Sequence, residues 1–481
     1  MDATSPTARP SWVAGQPVRG SRTMSVRHPY DDTEVATVSV PDPEQVERAV
    51  SAADAVARTF RGSPAHLRAT ALDQVSRTLA ERSDEVAEQI TAENGKPLKW
   101  ATLEVRRAVS TFRFAAEEAR RFTGTLQRLD TDPAAEGRLA VVRRVPRGPV
   151  LGISPFNFPL NLVAHKVAPA LAVGAPIVLK PAPRTPLSAL LLGELLAETG
   201  LPAGAFSVLP VGNEETQALV RDPRLPVVSF TGSGPVGWSI VDAAPRKHMV
   251  LELGGNAAAV VCADWPDLDF AAARIATFGN YQAGQSCIAV QRVIVDAAVA
   301  DTFVPLLVSA VAALRTGDPH DPDVDVGPMV DEVAAERVEE WITEAVGRGA
   351  RVLTGGKRVG TTVEPTVLAD VAPDARVWAE EVFGPVLAVS VVDGVDAALA
   401  AVNDSAYGLQ AGLFTRDVGI AFRAAAQLDV GGLIVGDVPS FRADQMPYGG
   451  VKASGTGREG VLSTMTDLTE ERVMVLTGLD L

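Results

Sequence analysis

PVLGISPFNFPLNLVAHKVAPALAVGAPIVLKPAPRTPLSAL, residues 149–190, decides the fold. Pro149–Ile153 and Pro176–Leu179 are apolar runs of strand length. Each is followed by a segment with helical spacing, from Leu160 and from Leu187. Strand, helix, strand, helix without a hairpin signal implies parallel strands joined by helical crossovers. The alternation continues through strand Phe206–Leu209, a helix near Glu214, strand Val227–Phe230 and a helix after Gly234, which makes a doubly wound domain. A second α/β run extends from about Met249 to Val435, with strands Met249–Leu253, Ala257–Val261 and Arg292–Val295 and helices near Asp301–Leu314 and Asp331–Gly347. Before Ala140 the spacing is helical, in PEQVERAVSAADAVARTF from Pro43 and LEVRRAVSTFRFAAEEARRF from Leu103. RLAVVRRVP at 138–146 and the tail ERVMVLTGLDL fit neither run. Both read as exposed strands, which seek partners at their edges. They either pair within the chain or form an oligomerisation arm, and the arm is the preferred reading. The expected class is α/β, with two doubly wound parallel-sheet domains and a small β arm.

The bulk chemistry narrows the function. A net charge of −15 excludes a broad basic face for nucleic acid. The first thirty residues contain no apolar run of signal-peptide type, and the longest apolar stretch, Val167–Leu179, is interrupted by Pro169, Gly174 and Pro176. No membrane span is expected. Two cysteines, Cys262 and Cys287, make no disulfide framework, so a cytoplasmic, reducing setting is expected.

Gly232-Ser233-Gly234-Pro235-Val236-Gly237 follows a strand and opens a helix, the literal G-x-G-x-x-G pattern, with Glu252 twenty residues further on. Free N–H groups at a helix N-terminus suit a phosphate. The pattern belongs, however, to the first strand of a nucleotide fold, and here it follows about the fourth. A structural glycine turn therefore stays open. Cys287 lies in GNYQAGQSCIAVQRV, a polar stretch unlike core, although a lone cysteine is by default a small buried hydrophobe. Glu252 in LELGGN and Asn157 in SPFNFPLN supply what a thiol nucleophile needs: a base, and a donor for the developing oxyanion.

Seven motifs in one order carry a resemblance: PFNFP at 155–159, KPAPRTP at 180–186, FTGSGPVG at 230–237, LELGGN at 251–256, GQSC at 284–287, EEVFGPV at 380–386 and PYGGVKASGTGREG at 447–460. Together they resemble the aldehyde dehydrogenase superfamily over about residues 25–475. The resemblance implies that Cys287 is the nucleophile, passing through a thiohemiacetal and a thioester. Glu252 then becomes the base that activates the deacylating water, which displaces the ribose role suggested by its spacing. The Asn157 amide and the Cys287 N–H become the oxyanion hole, and Lys166 and Glu470 a proton relay. NAD or NADP is implied, with NAD favoured. Its expected contacts are Ile153, Ser154, Pro155, Phe156, Lys180, Ala182, Pro183, Gly232, Ser233, Gly237, Leu253, Glu381 and Phe383. The implied division is a cofactor domain at 1–118 and 148–250, a catalytic domain at 251–435, an arm at 119–147 and 462–481, and a return through 436–461. The assembly implied is a homodimer or homotetramer.

Two departures matter. Many relatives carry a carboxylate three residues after the ribose lysine, where it repels a 2′-phosphate; here Pro183 stands there, followed by Arg184. In place of an apolar tunnel, the matching positions are Arg107, Phe158, His165, Ser286, Arg442 and Tyr448, which implies a small polar or anionic aldehyde. Asp444, two residues after Arg442, is the acid that would answer that arginine internally. The alternatives are a dehydrogenase of neutral aldehydes, a cofactor-free thiol hydrolase, and a non-catalytic nucleotide-binding protein. A coenzyme-A-acylating enzyme typically lacks a glutamate such as Glu252.

Overall fold

A computed structural model describes residues 8–478. The ends of the expected cofactor domain and arm, residues 1–7 and 479–481, lie outside the described residues. The first sheet has eight strands. Its parallel core runs, from edge to edge, Phe206–Val208, Ile177–Lys180, Val150–Ile153, Val227–Thr231 and His248–Glu252. Of these five, the strand that comes first in the chain, Val150–Ile153, is the central one, and the order reverses beside it. A crevice opens at such a switch point, outside the carboxyl ends of the strands. Val150–Ile153 and Ile177–Lys180 are buried along their whole length, because helices cover both faces. The crossover helix Asn161–Val173 is also buried at every position, which is why it shows no polar face in sequence.

His248–Glu252 corrects one expectation. The strand read there as part of the second run pairs residue for residue with Val227–Thr231 in the first sheet. The chain crosses to the second sheet only after Gly254 and Gly255. That sheet has seven strands, with Arg351–Thr354 as its antiparallel edge. Its parallel members are Thr366–Ala369, Val386–Val392, Arg292–Asp296, Ala258–Val261, Gln410–Phe414 and Gly432–Val435. Near its end the chain returns, and Gly455–Thr456 adds an antiparallel strand beside His248–Glu252.

The two unplaced segments pair with each other within the chain. Thr469–Thr477 runs antiparallel to Arg138–Pro146 over nine positions, and Thr125–Arg128 adds a third strand. Val473, Met474, Val475 and Leu476 remain exposed on this sheet. The N-terminal third is less uniformly helical than its spacing suggests. Helices Pro43–Arg61 and Leu98–Arg121 are preceded by strands Ser11–Val13 and Gln16–Val18 at the edge of the first sheet and by the hairpin Arg22–Arg27/Glu34–Val40. Trp12 pins the edge strand: its ring lies over Gly193 and its Nε1 donates to the Leu190 carbonyl at 2.9 Å. Among the described residues no helix is long and apolar enough to cross a membrane.

Candidate active site

Cys287 follows a short 3-10 turn, Tyr281–Gly284, in which Gln282, Ala283 and Gly284 all have positive φ, 55°, 53° and 69°. A Cβ on Gly284 would stand 2.1 Å from the Gly384 carbonyl oxygen, so glycine is needed there for space as well as for φ. Side chains hold this unusual backbone. Gln282 bonds to Asn94, and Asn94 donates to the Phe156 carbonyl. Asn157 donates to the Gln285 carbonyl at 2.9 Å, and the Gln285 side chain accepts from the Val330 N–H. The loop before the nucleophile is thereby tied to the PFNFP loop at the end of the central strand. The Cys287 N–H meets no acceptor among the described residues, and it shares this region with the Asn157 amide.

The thiol lies 2.9 Å from the Tyr448 hydroxyl, and burial pushes its pKa up to about 12. Glu252 is buried with neither carboxylate oxygen hydrogen-bonded. Burial, then the neighbouring Glu459 charge, raise its pKa well above the ordinary value. Glu459 shifts the other way. Burial opposes its charge, but Lys166 and Arg442 hold it ionised and low. Lys166, buried, reaches Glu459 at 3.3 Å, Thr231 at 2.7 Å and Ser229 at 3.1 Å.

Glu470 is corrected by this geometry. It sits on the strand Thr469–Thr477, partly exposed, 3.7 Å from Arg147 and 3.3 Å from Arg472. The carboxylate beside Lys166 is Glu459, which lies in the quoted motif PYGGVKASGTGREG and was available from the sequence. The anticipated partner of Arg442 is corrected as well. Asp444 binds Arg107 at 2.8 Å and the His165 Nε2 at 3.1 Å, with Asn161 at 3.4 Å. Burial works against the Asp444 charge, but His165 and Arg107 keep its pKa well below the usual range. Arg442 instead meets Glu459 at 3.0 Å and lies 3.8 Å over the Tyr448 ring. Its Nε is buried without a partner. His165, fully buried, has its pKa lowered by burial and by Arg442. Ser286 accepts from Tyr281 at 2.9 Å, and Phe158 packs near the same tyrosine.

The expected cofactor contacts gather at the carboxyl ends of the first sheet. Ile153, Ser154, Pro155 and Phe156 follow the central strand, Lys180, Ala182 and Pro183 the next, and Gly232 and Ser233 the strand across the switch point, with Leu253 at the end of its neighbour. Gly237 lets the helix Gly234–Ala243 approach Leu253, since a Cβ there would come within 2.4 Å of it. Three buried groups await a ligand. Lys180 has no carboxylate beside it among the described residues, and burial alone lowers its pKa to about 8. The Ser154 hydroxyl has no partner. Glu381 accepts one hydrogen bond, from the Gly255 N–H at 3.0 Å, and burial raises its pKa to about 7. Phe383, at φ 47°, stands edge-on to Phe156 with centroids 5.9 Å apart. These residues fit a dinucleotide, for which Lys180 and Glu381 would supply ribose contacts. Pro183 is exposed, and Arg184 pairs with Asp331 at 2.8 Å.

The two-sheet α/β fold, with its crevice at the switch point of the first sheet, is that of a nucleotide-dependent oxidoreductase. The chain belongs to the aldehyde dehydrogenase family, whose model matches residues 12–474, and it is an NAD(P)-dependent enzyme of aldehyde oxidation. It is 43% identical to a 3-sulfolactaldehyde dehydrogenase of Priestia aryabhattai over 97% of each chain. Aldehyde dehydrogenase 21 of Physcomitrella patens, solved with the reaction product succinate, matches at TM-score 0.97 and 43% identity over 99% of this chain and 100% of that one. An NADP-dependent glyceraldehyde-3-phosphate dehydrogenase of Bacillus halodurans, solved with NADP, matches at TM-score 0.94 and 35% identity over 98% and 99%.

Proposed function

We propose that the enzyme oxidises a short aldehyde bearing an anionic group to its carboxylate, through a thioester on Cys287. The observation that carries the reading is a charge imbalance around the thiol. Arg107, Arg442 and Lys166 form ion pairs with only two carboxylates, Asp444 and Glu459, and the Arg442 Nε is buried without a partner among the described residues. Burial pushes Glu252 and His165 toward their neutral forms, and Lys166, whose pKa burial also lowers, keeps its pairing with Glu459. One positive charge is left over in a buried pocket, where an unanswered charge is costly. A carboxylate, sulfonate or phosphonate on the substrate answers it. The related 3-sulfolactaldehyde dehydrogenase, named for an anionic aldehyde, and the plant enzyme solved with its product succinate support this reading.

The steps follow from the residues. Burial holds the Cys287 thiol protonated, and the ionised form of Glu252, made more basic by its raised pKa, takes that proton. The sulfur adds to the carbonyl carbon, and the oxyanion is met by the Asn157 amide and the Cys287 N–H. Lys180, Ser233, Glu381 and Phe383 would hold a nicotinamide dinucleotide, which would supply the hydride acceptor that this oxidation needs. Glu252 then deprotonates a water that attacks the thioester, releasing the carboxylate and the thiol. Lys166 and Glu459 carry the proton away from Glu252.

With Pro183 exposed and no acid beside Lys180, the ribose end tolerates either cofactor, NAD being slightly favoured. The exposed apolar face of Thr469–Thr477 supports a homodimer or homotetramer, with residues 119–147 and the tail as its arm. The division into a cofactor domain and a catalytic domain follows the two sheets. A thiol chemistry of this kind suits a reducing, cytoplasmic setting. The decisive experiment is a panel of aldehydes matched in length, anionic and neutral, assayed by cofactor reduction with both NAD and NADP. A preference for long alkyl aldehydes would overturn the anionic reading.

A further inference from the structure

The Tyr448 hydroxyl stands 2.9 Å from the Cys287 sulfur and meets no other hydrogen-bonding group among the described residues. Its motif, PYGG, suggested a wall of the substrate pocket, whereas the fold sets the hydroxyl on the nucleophile itself. Tyr448 is fixed there from three sides. Its N–H donates to the Glu459 carbonyl at 2.9 Å, and its carbonyl accepts from the Glu459 N–H at 2.6 Å, an isolated antiparallel bridge. Its ring packs with Ile288 and Leu409. The Arg442 guanidinium lies 3.8 Å over the face of that ring. The next residue, Gly449, passes so close to the base that a Cβ there would stand 2.8 Å from the Glu252 Oε1. One short loop thus borders nucleophile, base and arginine together.

The direction of the bond follows from what each atom can do. While Cys287 keeps its proton, either group can donate. Once that proton has gone to Glu252, the sulfur offers only lone pairs, and the hydroxyl is the one donor of the two. A hydrogen bond to an ionised acceptor is about twice as strong as a neutral one, so the contact tightens as the thiolate forms. Burial, then the Cys287 charge, raise the Tyr448 pKa well above the ordinary phenol value, which keeps the phenol a donor. Burial raises the thiol pKa in turn; Tyr448 does most to hold it down, ahead of Arg442, while Glu381 and Glu252 push it further up. Tyr281, the other phenol facing the thiol, donates to Ser286 at 2.9 Å instead.

We propose that Tyr448 is a further catalytic residue, whose hydroxyl donates to the Cys287 thiolate. It does so when the S–H proton leaves for Glu252, and again when the hydrated thioester breaks its C–S bond and the electron pair returns to sulfur. The phenol keeps its own proton in both steps. The proposal rests on Cys287 as the nucleophile. The test is Tyr448→Phe, which keeps the ring under Arg442 and against Ile288 and Leu409, with the thermal midpoint as the check that the fold holds. Cys287 is not fully enclosed, so iodoacetamide can reach it, and mass spectrometry of the Cys287 peptide follows alkylation from neutral to mildly alkaline pH. Loss of a charge-assisted bond leaves about tenfold fewer thiolates, partly offset by the greater reactivity of a more basic sulfur. Alkylation should therefore slow by about three- to tenfold across that range, and the first-turnover formation of reduced cofactor should slow with it. Tyr281→Phe, which removes a hydroxyl that does not touch the sulfur, should leave alkylation alone. Incorporating 3-fluorotyrosine at the four tyrosines nearly keeps their shape and makes the phenol a stronger donor, so it should shift the rate the other way. Alkylation that is unmoved by these changes, or faster in Tyr448→Phe, overturns the proposal. A raised KM with unchanged alkylation overturns it too, and makes Tyr448 a substrate contact. Persisting oxidation in Cys287→Ala would instead overturn the nucleophile, a result that Tyr448→Phe cannot mimic.

Discussion

Replacing Arg442 by methionine removes one positive charge while keeping much of the side-chain volume. Arg442 is 5% exposed at its side chain, 3.0 Å from Glu459 and 3.8 Å above the Tyr448 ring. Two losses follow, and they differ in what they touch. Glu459 keeps Lys166 but loses its second cation, which burdens every substrate alike. The pocket also loses its surplus charge, and that loss falls on an anionic substrate only. Truncating one partner of a buried charge pair costs roughly 2–4 kcal/mol. At about 1.36 kcal/mol per tenfold, the kcat/KM of an acidic aldehyde should fall by roughly 30- to 900-fold more than that of a neutral aldehyde of equal length. Steady-state reduction of the cofactor, with both aldehydes on both proteins, gives the ratio directly, and the common burden on Glu459 cancels from it. Equal losses would refute the reasoning. They would make Arg442 a strut for Glu459 and leave the surplus charge without a role in recognition.

Glu252→Gln should slow deacylation more than acylation, so that reduced cofactor appears as a burst in stopped flow. Because the Glu252 pKa is raised, the base form is populated only as pH climbs above the ordinary carboxylate range. The kcat of the parent enzyme should therefore rise with pH above the ordinary carboxylate range, and the Glu252→Gln variant should lose that limb. Cys287→Ala should abolish oxidation and leave cofactor affinity, read by fluorescence titration, within a few-fold. Pro183→Glu should disfavour NADP over NAD in kcat/KM by about 1 kcal/mol, a modest figure because the position is exposed and screened; an unchanged cofactor ratio would mean that residue 183 does not face the ribose. Glu459→Gln should lower kcat and displace its pH profile, whereas Glu470→Gln should leave both alone, and the reverse ranking would restore Glu470 to the relay.

What could be read from the sequence follows the range of the interactions involved. The parallel strands were legible because strands buried on both faces are continuous apolar runs, as in Val150–Ile153 and Ile177–Lys180. The strands before Pro43 were not. Ser11–Val13 and Gln16–Val18 have three residues each and gain their structure from the sheet edge and from Trp12 seated over Gly193. His248–Glu252 went to the wrong sheet because a strand's sequence shows its burial and not its neighbour. At the site, Cys287, Glu252 and Asn157 lie in compact motifs, so each could be singled out from its immediate sequence. Ion pairing did not come through. Asp444 lies two residues from Arg442, yet it answers Arg107, more than three hundred residues earlier in the chain, and Arg442 is answered by Glu459. Sequence proximity suggested the first pairing. The fold imposed the second, because helix Leu98–Arg121 delivers Arg107 to the face where Asp444 already meets His165 and Asn161. The same exchange of partners makes Glu459 the most constrained acid of the site, held by Lys166 and Arg442 at once. Two cations keep Glu459 ionised, and its charge in turn helps to raise the pKa of Glu252.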